Sequence, residues 1–354
     1  MLGGGIFVTQ NKVLPGSYIN VVSASKASAT LGERGVVAIA LPLGKAAGTV
    51  ITMTQNEFVQ NAKTLTGKEY SSADLLPLRE IFCNATKVHV YDLGTGESAK
   101  TVANACAALE PYEFNILCAY TNTANDISTY VTQIKSWRDT MGKKCQAVVY
   151  NPTTAPDYEG VINVVSTVEG TSDETNPKKA YELVAWVAGA EAGCAVNASC
   201  TNKKYNGELT IVCNKTQTQL ESCITNGQIA FHLVYGDICM LEDINSLTTT
   251  SADKGDDFKS NQTIRVVDQI ANDIAKIFNT KYLGKIPNNA SGRMSLWADI
   301  VSHHRQLEEI QAIENFDPTQ LTVAQGNTKK SVVVNDVINV TNAMAQLYMT
   351  LVIE

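Results

Sequence analysis

Residues 87–188 alternate short apolar runs with amphipathic segments, and this pattern limits the possible folds more than any other feature of the chain. The apolar runs cover residues 87–92, 114–120, 145–150 and 161–166. Because most positions in these runs are apolar, they predict strands that are covered on both faces. The segments between them predict helices over 97–109 and 126–141, the second with Asp126 as N-cap and Gly142 as its stop. Strands and helices in this order indicate a largely parallel sheet.

The segments on either side have other patterns. Upstream, residues 36–41 and 49–54 predict strands, and 56–66 a short helix. Downstream, a helix is predicted from Pro177, strands over 208–213, 229–235 and 244–249, amphipathic helices over 264–282 and 293–313, and strands over 320–324, 331–340 and 346–353. We therefore predict a mixed α+β and α/β fold. Its predicted parts are an N-terminal arm (1–23), a β-rich segment packed on the core (24–86), a central α/β domain (87–204), a C-terminal α+β domain (205–342) and a C-terminal arm strand (343–354).

The composition argues against several classes of function. Lys and Arg number 28 and Asp and Glu 35, so the net charge of −7 does not suit the neutralisation of nucleic-acid phosphates. No apolar run approaches the roughly 20 residues that span a bilayer, and the first residues lack the basic region of a signal peptide. The nine cysteines have neither CxxC spacing nor a neighbouring histidine at zinc spacing, so we expect reduced core residues and no metal or other cofactor.

The strongest candidate for catalytic chemistry is the turn at residues 94–101, GTGESAKT. Gly94, Lys100 and Thr101 fit a phosphate-binding loop, but Ala99 replaces the glycine that lets such a loop curl around a phosphate. We therefore expect an ordinary strand-to-helix turn. The adjacent His303 and His304 are expected on a solvated or interfacial face, because metal ligation from one helix favours i,i+4 spacing.

The two ends of the chain both have strand potential. Residues 346–353 place Leu347, Met349, Leu351 and Ile353 on one face and Tyr348, Thr350 and Val352 on the other. Such a strand needs cover on both faces and partners along its edges. A shorter apolar stretch, residues 18–22, follows Pro15 and Gly16. Two arms of this kind suit strand donation to a neighbouring subunit, although both could instead pair within their own domain.

Several motifs resemble those of contractile tail sheath proteins. They are residues 15–20 (PGSYIN), 185–193 (AWVAGAEAG), 196–199 (VNAS), 205–207 (YNG), 265–268 (RVVD) and 282–289 (YLGKIPNN). The motifs keep their order over nearly the whole chain. In length and style the chain is most similar to sheaths of Gram-positive defective prophages and of R-type bacteriocins, including the clostridial diffocin type.

The resemblance implies a mechanical protein rather than an enzyme. Sheath subunits stack as helically arranged rings of six around an inner tube, and collapse from a metastable extended form to a wider, shorter one that drives the tube through a target envelope. The implied partners are other copies, the inner tail tube protein, and baseplate and sheath-terminator proteins, with no nucleic acid, direct membrane insertion or cofactor. The implied location is the bacterial cytoplasm, followed by release by lysis as part of a phage tail or tail-like particle.

The resemblance also implies particular site residues, and two other classes of function remain open. The expected donated strands are Tyr18, Ile19, Asn20, Val21 and Val22 in the N-terminal arm, and Leu347, Tyr348, Met349, Thr350, Leu351, Val352 and Ile353 in the C-terminal arm. The expected receiving sheet contains Leu321, Val323, Val332, Val333 and Val334. The expected tube contacts are Arg265, Lys276 and Lys281, with Arg293 and Arg305 on the other candidate helix. Exposed charges are also typical of any solvated helix. The alternatives are a P-loop-like nucleotide-binding protein and a non-contractile scaffold or shell protein.

Overall fold

The computed structural model describes residues 31–170 and 179–353. The strands are β1 (Val36–Leu41), β2 (Val50–Thr54), β3 (Lys87–Asp92), β4 (Ile116–Cys118), β5 (Gln146–Tyr150), β6 (Val161–Val164), β7 (Gln228–Ile229), β8 (Phe231–Val234), β9 (Asp237–Met240), β10 (Ile313–Glu314), β11 (Thr322–Gln325), β12 (Val332–Asn335) and β13 (Asn339–Val340). The α-helices are α1 (Gln55–Thr66), α2 (Leu76–Phe82), α3 (Val102–Leu109), α4 (Ala124–Lys135), α5 (Leu183–Gly193), α6 (Gln217–Thr225), α7 (Asn261–Ile277) and α8 (Ala290–Glu309). Single π-helical turns extend α4 to Met141 and α7 to Tyr282.

A seven-stranded sheet in the order β2-β3-β1-β4-β5-β6-β7 forms the centre of the molecule. All its neighbouring strands are parallel except β2, which is antiparallel to β3. Side chains alternate between the two faces, so that Val37 and Ile39 of β1 enter one core while Ala38 and Ala40 enter the other. Helices α2 and α5 cover the first face, and α3 and α4 cover the second. The predicted parallel α/β sheet is confirmed.

Helix α5 lies inside the molecule and packs closely against α2. Ten of its residues are buried, which matches a segment that is apolar all round rather than on one face. A Cβ atom on Gly189 would collide with the carbonyl oxygen of Ile81, and one on Gly193 with that of Asn84. Glycine is therefore required at both positions for α5 to approach α2 and the residues that follow it this closely.

Several local predictions are wrong. The segment predicted as a helix from residue 97 has only a 3-10 turn at Gly96–Ser98, and α3 begins at Val102 because Thr101 caps it. The N-cap of α4 is Thr123, so Asp126 lies within the first turn, whereas Gly142 ends the helix in the left-handed region as predicted. Residues 208–213 and 244–249 form only isolated bridges, from Ile211 to Val168 and from Ile244 to Ser260, because their apolar side chains are buried but each pairing is only one bridge long. Pro177 lies outside the described residues.

Residues 205–246 belong with the central sheet. Strand β7 lies at the edge of that sheet, and Phe231 and Met240 share a core with Trp186 of α5. Burial in this common core ties the segment to the central unit, although the sequence pattern assigned it to the C-terminal domain. We therefore propose a domain boundary near residue 250 instead of residue 204.

The C-terminal unit is a smaller α+β structure. Helices α7 and α8 enclose a core with Val266, Leu296, Ile300 and Phe316. Two antiparallel pairs, β10 with β13 and β11 with β12, lie beside the helices. From residue 341 to 353 the chain has no regular secondary structure. Among the described residues, no helix is both long enough and apolar enough to span a bilayer.

Candidate assembly site

The last described residues form an apolar arm without cover. The side chains of Met344, Leu347, Tyr348, Met349, Leu351, Val352 and Ile353 are between 77% and 102% exposed. The predicted strand is absent here, and the arm has no ladder partner within the described residues. A contiguous exposed apolar surface of this kind marks an interaction site.

Hydrogen bonds fix the point at which the arm leaves the molecule. Ala343 N–H donates to Gln262 Oε1 at 3.0 Å, and Gln262 Nε2 donates to the carbonyl oxygen of Thr341 at 3.2 Å. The Asn342 side chain pairs with the hydroxyl of Thr263 at 3.2 Å. Because Gln262 and Thr263 are buried at the start of α7, residues 341–343 form an anchored root immediately before Met344.

The predicted receiving residues surround the β11–β12 pair. Val323 and Val332 pack against the C-terminal core, while Val333 and Val334 are 46% and 37% exposed. Leu321 is buried and immediately precedes β11. The pair is a two-stranded sheet in the described part of the chain, so both outer edges can accept a further strand.

The three predicted tube contacts have different surroundings. Arg265 is 2% exposed, so its assignment as a tube contact is wrong: its guanidinium cannot reach a partner surface. Lys276 is exposed. Lys281 Nζ lies 3.1 Å from both carboxylate oxygens of Asp299 and remains partly exposed. Arg305, on the other candidate helix, pairs with Glu308.

The polar face of α7 is buried against the central unit. Arg138 Nη1 and Nη2 donate to the two carboxylate oxygens of Asp268 at 2.5 and 2.9 Å. Arg265 donates to Glu191 Oε2 at 2.7 Å, to Asp243 Oδ2 at 3.2 Å and to a backbone carbonyl at 2.7 Å. Three buried pairs of a guanidinium and a carboxyl group, Arg138–Asp268, Arg265–Glu191 and Arg265–Asp243, therefore join α7 to the central domain. Such pairs hold an interface in one arrangement, because separating them leaves charges unpaired.

Burial and neighbouring charge give the two carboxyl groups beside Arg265 different protonation. Burial raises the pKa of Glu191 well above its ordinary value, and the nearby Asp243 carboxylate raises it further. Burial also acts to raise the pKa of Asp243, but the charge of Arg265 and the Cys200 N–H outweigh it, so the net shift is downward. One proton between Glu191 and Asp243 therefore leaves the three-residue cluster neutral.

The ligand atoms of the same carboxyl groups and of Cys200 lie within 4.8 Å of one another, a spacing that a metal site would also have. The cluster already contains the guanidinium of Arg265, which contacts both carboxyl groups. Glu191 Oε1 and Asp243 Oδ1 lack conventional partners, and a proton held between the two carboxyl groups satisfies both. A second cation beside Arg265 would be repelled, so the residues present do not fit a metal site.

The turn at residues 94–101 is folded around an internal carboxylate. Asp92, at the end of β3, accepts N–H groups from residues 43–46 at 2.7 to 3.1 Å and from Gly94 at 2.8 Å. At the start of α3, Thr101 and Asn104 cap each other's backbone N–H groups. The backbone donors near this turn are thus used within the chain, which disfavours the nucleotide-binding alternative.

Replacing Asp92 should destabilise this region selectively. We expect Asp92→Ala to lower the free energy of unfolding by about 3 kcal/mol, because several buried N–H groups lose their acceptor. Urea denaturation followed by tryptophan fluorescence measures the change. Glu97→Ala, which removes an exposed carboxylate from the same turn, is the matched control and should change stability by less than about 0.5 kcal/mol. Equal effects of the two substitutions would contradict this role of Asp92.

The chain thus combines an α/β unit, a smaller α+β unit and an uncovered apolar arm. Residues 95–246 match the family model of the phage tail sheath protein central domain, and residues 253–354 match that of the phage tail sheath C-terminal domain. The two models together cover well over half of the chain. The chain belongs to the phage tail sheath family.

Two curated relatives come from Gram-positive bacteria and their phages. The phage-like element PBSX protein XkdK of Bacillus subtilis is 29% identical over 255 residues, which are 68% of this chain and 53% of that protein. The tail sheath protein of Clostridium phage phiCD119 is 27% identical over 207 residues, 58% of this chain and 56% of that protein. The chain spans about half the length of the curated relatives it matches.

Solved structures share the fold over most of the chain. A sheath tail protein from Desulfitobacterium hafniense is 25% identical, with a TM-score of 0.78 over 93% of this chain and 98% of that one. The helical sheath of the anti-feeding prophage in its contracted state has a TM-score of 0.71 over 96% of this chain and 99% of that one. At 13% identity, the second likeness concerns the fold alone.

Proposed function

We propose that this protein is the sheath subunit of a contractile phage tail or tail-like particle. In this proposal, subunits polymerise as helically arranged rings of six around an inner tube, and collapse from a metastable extended state to drive the tube through a target envelope. The observation that carries the proposal is the uncovered apolar arm of residues 344–353, in a chain of the sheath family with an open two-stranded sheet. The subunit acts mechanically, since the driving free energy is the difference between two packings of the same chain.

The arm is proposed to add a strand to the C-terminal unit of a neighbouring copy. Residues 347–353 would pair along an outer edge of β11–β12, where backbone N–H and C=O groups are available. The exposed Val333 and Val334 would then cover apolar side chains of the arriving strand. The N-terminal strand, Tyr18–Val22, is proposed to act in the same way and lies outside the described residues.

Two lysines at the end of α7 remain proposed contacts to the inner tube. Lys276 is exposed, and Lys281 is partly exposed beside Asp299. Both would suit an acidic tube surface, with the weak, salt-dependent contribution that exposed charges make. Baseplate and sheath-terminator proteins are the proposed partners at the two ends of the polymer. Synthesis in the bacterial cytoplasm and release by lysis complete the proposal.

Co-expression with the tail tube protein tests this function. Negative-stain electron microscopy should reveal tubular polymers in a long thin form and in a short wide form. Discrete globular particles in the presence of the tube would contradict a sheath role. Tubes of one fixed width and length, even after mild denaturant treatment, would instead favour a non-contractile scaffold.

A further inference from the structure

His303 and His304 lie in the middle of α8 with no exposed surface, contrary to the solvated or interfacial face that their sequence context predicted. His303 Nε2 lies 3.0 Å from Asp273 Oδ2 on α7. His304 Nε2 lies 2.6 Å from Asp336 Oδ2, in the segment between β12 and β13. The two Nδ1 atoms face each other at 3.3 Å. The four side chains thus form one chain of hydrogen bonds from α7, through α8, to the segment that leads to the arm.

The positions of protons along this chain follow from its donors and acceptors. An ionised carboxylate only accepts hydrogen bonds, and Asp273 already accepts the Gly32 N–H at 3.1 Å and Gln269 Nε2 at 2.9 Å. Both histidine Nε2 atoms must therefore carry a proton. A hydrogen bond between the two Nδ1 atoms requires a third proton, so one of the two rings carries both of its N–H groups.

Any other number of protons on the four ring nitrogens leaves the two Nδ1 atoms without a hydrogen bond between them. With two protons, both Nδ1 lone pairs face each other in a site that water does not reach. With four protons, two N–H groups point at each other and two cationic rings are in contact. The arrangement therefore suits a single protonation state, and both a gain and a loss of one proton disrupt it.

Charged groups surround the pair from three elements. Asp273 on α7 and Asp336 beyond β12 favour a positive charge on the rings. Arg305 on α8 disfavours a second positive charge on the rings. Its guanidinium lies 5.4 Å from the centroid of the Phe316 ring, and the centroid of that ring lies 4.9 Å from the centroid of the His304 ring. Glu308 pairs with Arg305 and partly offsets its charge.

We propose that the His303–His304 pair holds one shared proton and thereby keeps the hydrogen bond from His304 to Asp336, which anchors the segment that leads to the C-terminal arm. Adding or removing a proton weakens this anchor. Asp336 is three residues before β13, and the chain from β13 to Ala343 is held by β10 and by the start of α7. Release of Asp336 therefore frees one end of the segment that carries the arm. This inference goes beyond the proposed function, because it concerns a proton-dependent property of the single subunit.

Hydrogen exchange on the unassembled full-length protein tests whether the histidine pair anchors residues 336–343. Peptides covering residues 336–343 are followed by mass spectrometry from about pH 5 to about pH 9, with correction for intrinsic chemical exchange. Exchange should be slowest at an intermediate pH and about tenfold faster at both ends of the range, as expected for the loss of one buried hydrogen bond. A flat profile would overturn the inference. The result does not depend on whether tubes form.

A histidine-to-glutamine substitution distinguishes an effect of the shared proton on hydrogen exchange from an effect of side-chain packing. In His304→Gln the amide can still donate to Asp336 but cannot take up a further proton, so the minimum in the profile should disappear. His232→Gln, at a half-buried histidine on β8, is the control and should keep the wild-type profile. A minimum that persists in His304→Gln would rule out the shared proton.

Nitrogen-15 NMR of the wild-type imidazole rings gives a readout that does not depend on a variant folding. One ring with two N–H groups and one with a single N–H group are expected at the pH of slowest exchange. Two neutral rings would overturn the inference. A stoichiometric metal ion between the Nδ1 atoms, detected by elemental analysis, would also overturn it, because the ion would then replace the proton.

Discussion

Deletion of residues 344–354 is expected to leave a folded monomer that no longer forms tubular polymers. Residues 344–353 are exposed along their whole length, so their loss removes almost no buried surface from the subunit. The free energy of unfolding should therefore change by less than about 0.5 kcal/mol. Urea denaturation measures the stability, and electron microscopy with the tube protein measures assembly. Normal tubes from the deleted chain would contradict strand donation by this arm.

A double substitution on the arm tests the same idea without shortening the chain. Leu347→Asp with Leu351→Asp places two charges on one face of the proposed donated strand, where they would have to be buried in the neighbour. We expect a folded monomer and loss of tubes. Val59→Asp on α1, at a side chain that is 55% exposed, adds a charge at an apolar surface position outside the arm and should assemble normally. Loss of tubes in both variants would point to a general effect of charge rather than to the arm.

Arg265→Leu is expected to destabilise the subunit by about 3–5 kcal/mol. The substitution leaves the carboxyl groups of Glu191 and Asp243 buried without their cation, and removal of one partner from a buried ion pair has a cost of this size. Urea denaturation should give a lower midpoint, and the central and C-terminal units should no longer unfold together. Lys276→Leu, at an exposed position of the same helix, should change stability by less than about 0.5 kcal/mol. Similar losses in the two variants would contradict the role of Arg265 in the interface.

Glu191→Gln tests the protonation state in the same cluster. The folded state raises the pKa of Glu191 above the unfolded value of about 4.3, so the folded protein holds the proton more tightly. This group therefore lowers stability progressively as the pH rises from the unfolded pKa towards the folded pKa. Glutamine keeps a donor for Asp243 and does not titrate. The stability of Glu191→Gln relative to wild type should thus increase with pH, and a constant difference would contradict a protonated Glu191.

Local sequence patterns were sufficient for much of the central unit. The pattern predicted β1 and β3 with their observed bounds, and it predicted α1 within one residue, because strand and helix periodicities are properties of neighbouring residues. It failed at residues 208–213, where Leu209 and Ile211 are buried but the pairing with another segment is a single bridge from Ile211 to Val168. Periodicity reports burial, whereas a strand also requires a partner that stays alongside for several residues.

For the candidate site, the sequence motifs were sufficient to identify the family, and the pattern of residues 346–353 was sufficient to predict an apolar arm. The directions in which the polar side chains of α7 and α8 point followed only from the folded arrangement. Arg265 occurs in an amphipathic pattern that is typical of a solvated face, yet its partners Glu191 and Asp243 come from distant parts of the chain. His303 and His304 are buried for the same reason, since Asp273 and Asp336 approach them from other elements. A charged side chain has the same sequence pattern whether water or a buried counter-charge solvates it, and folding decides between the two.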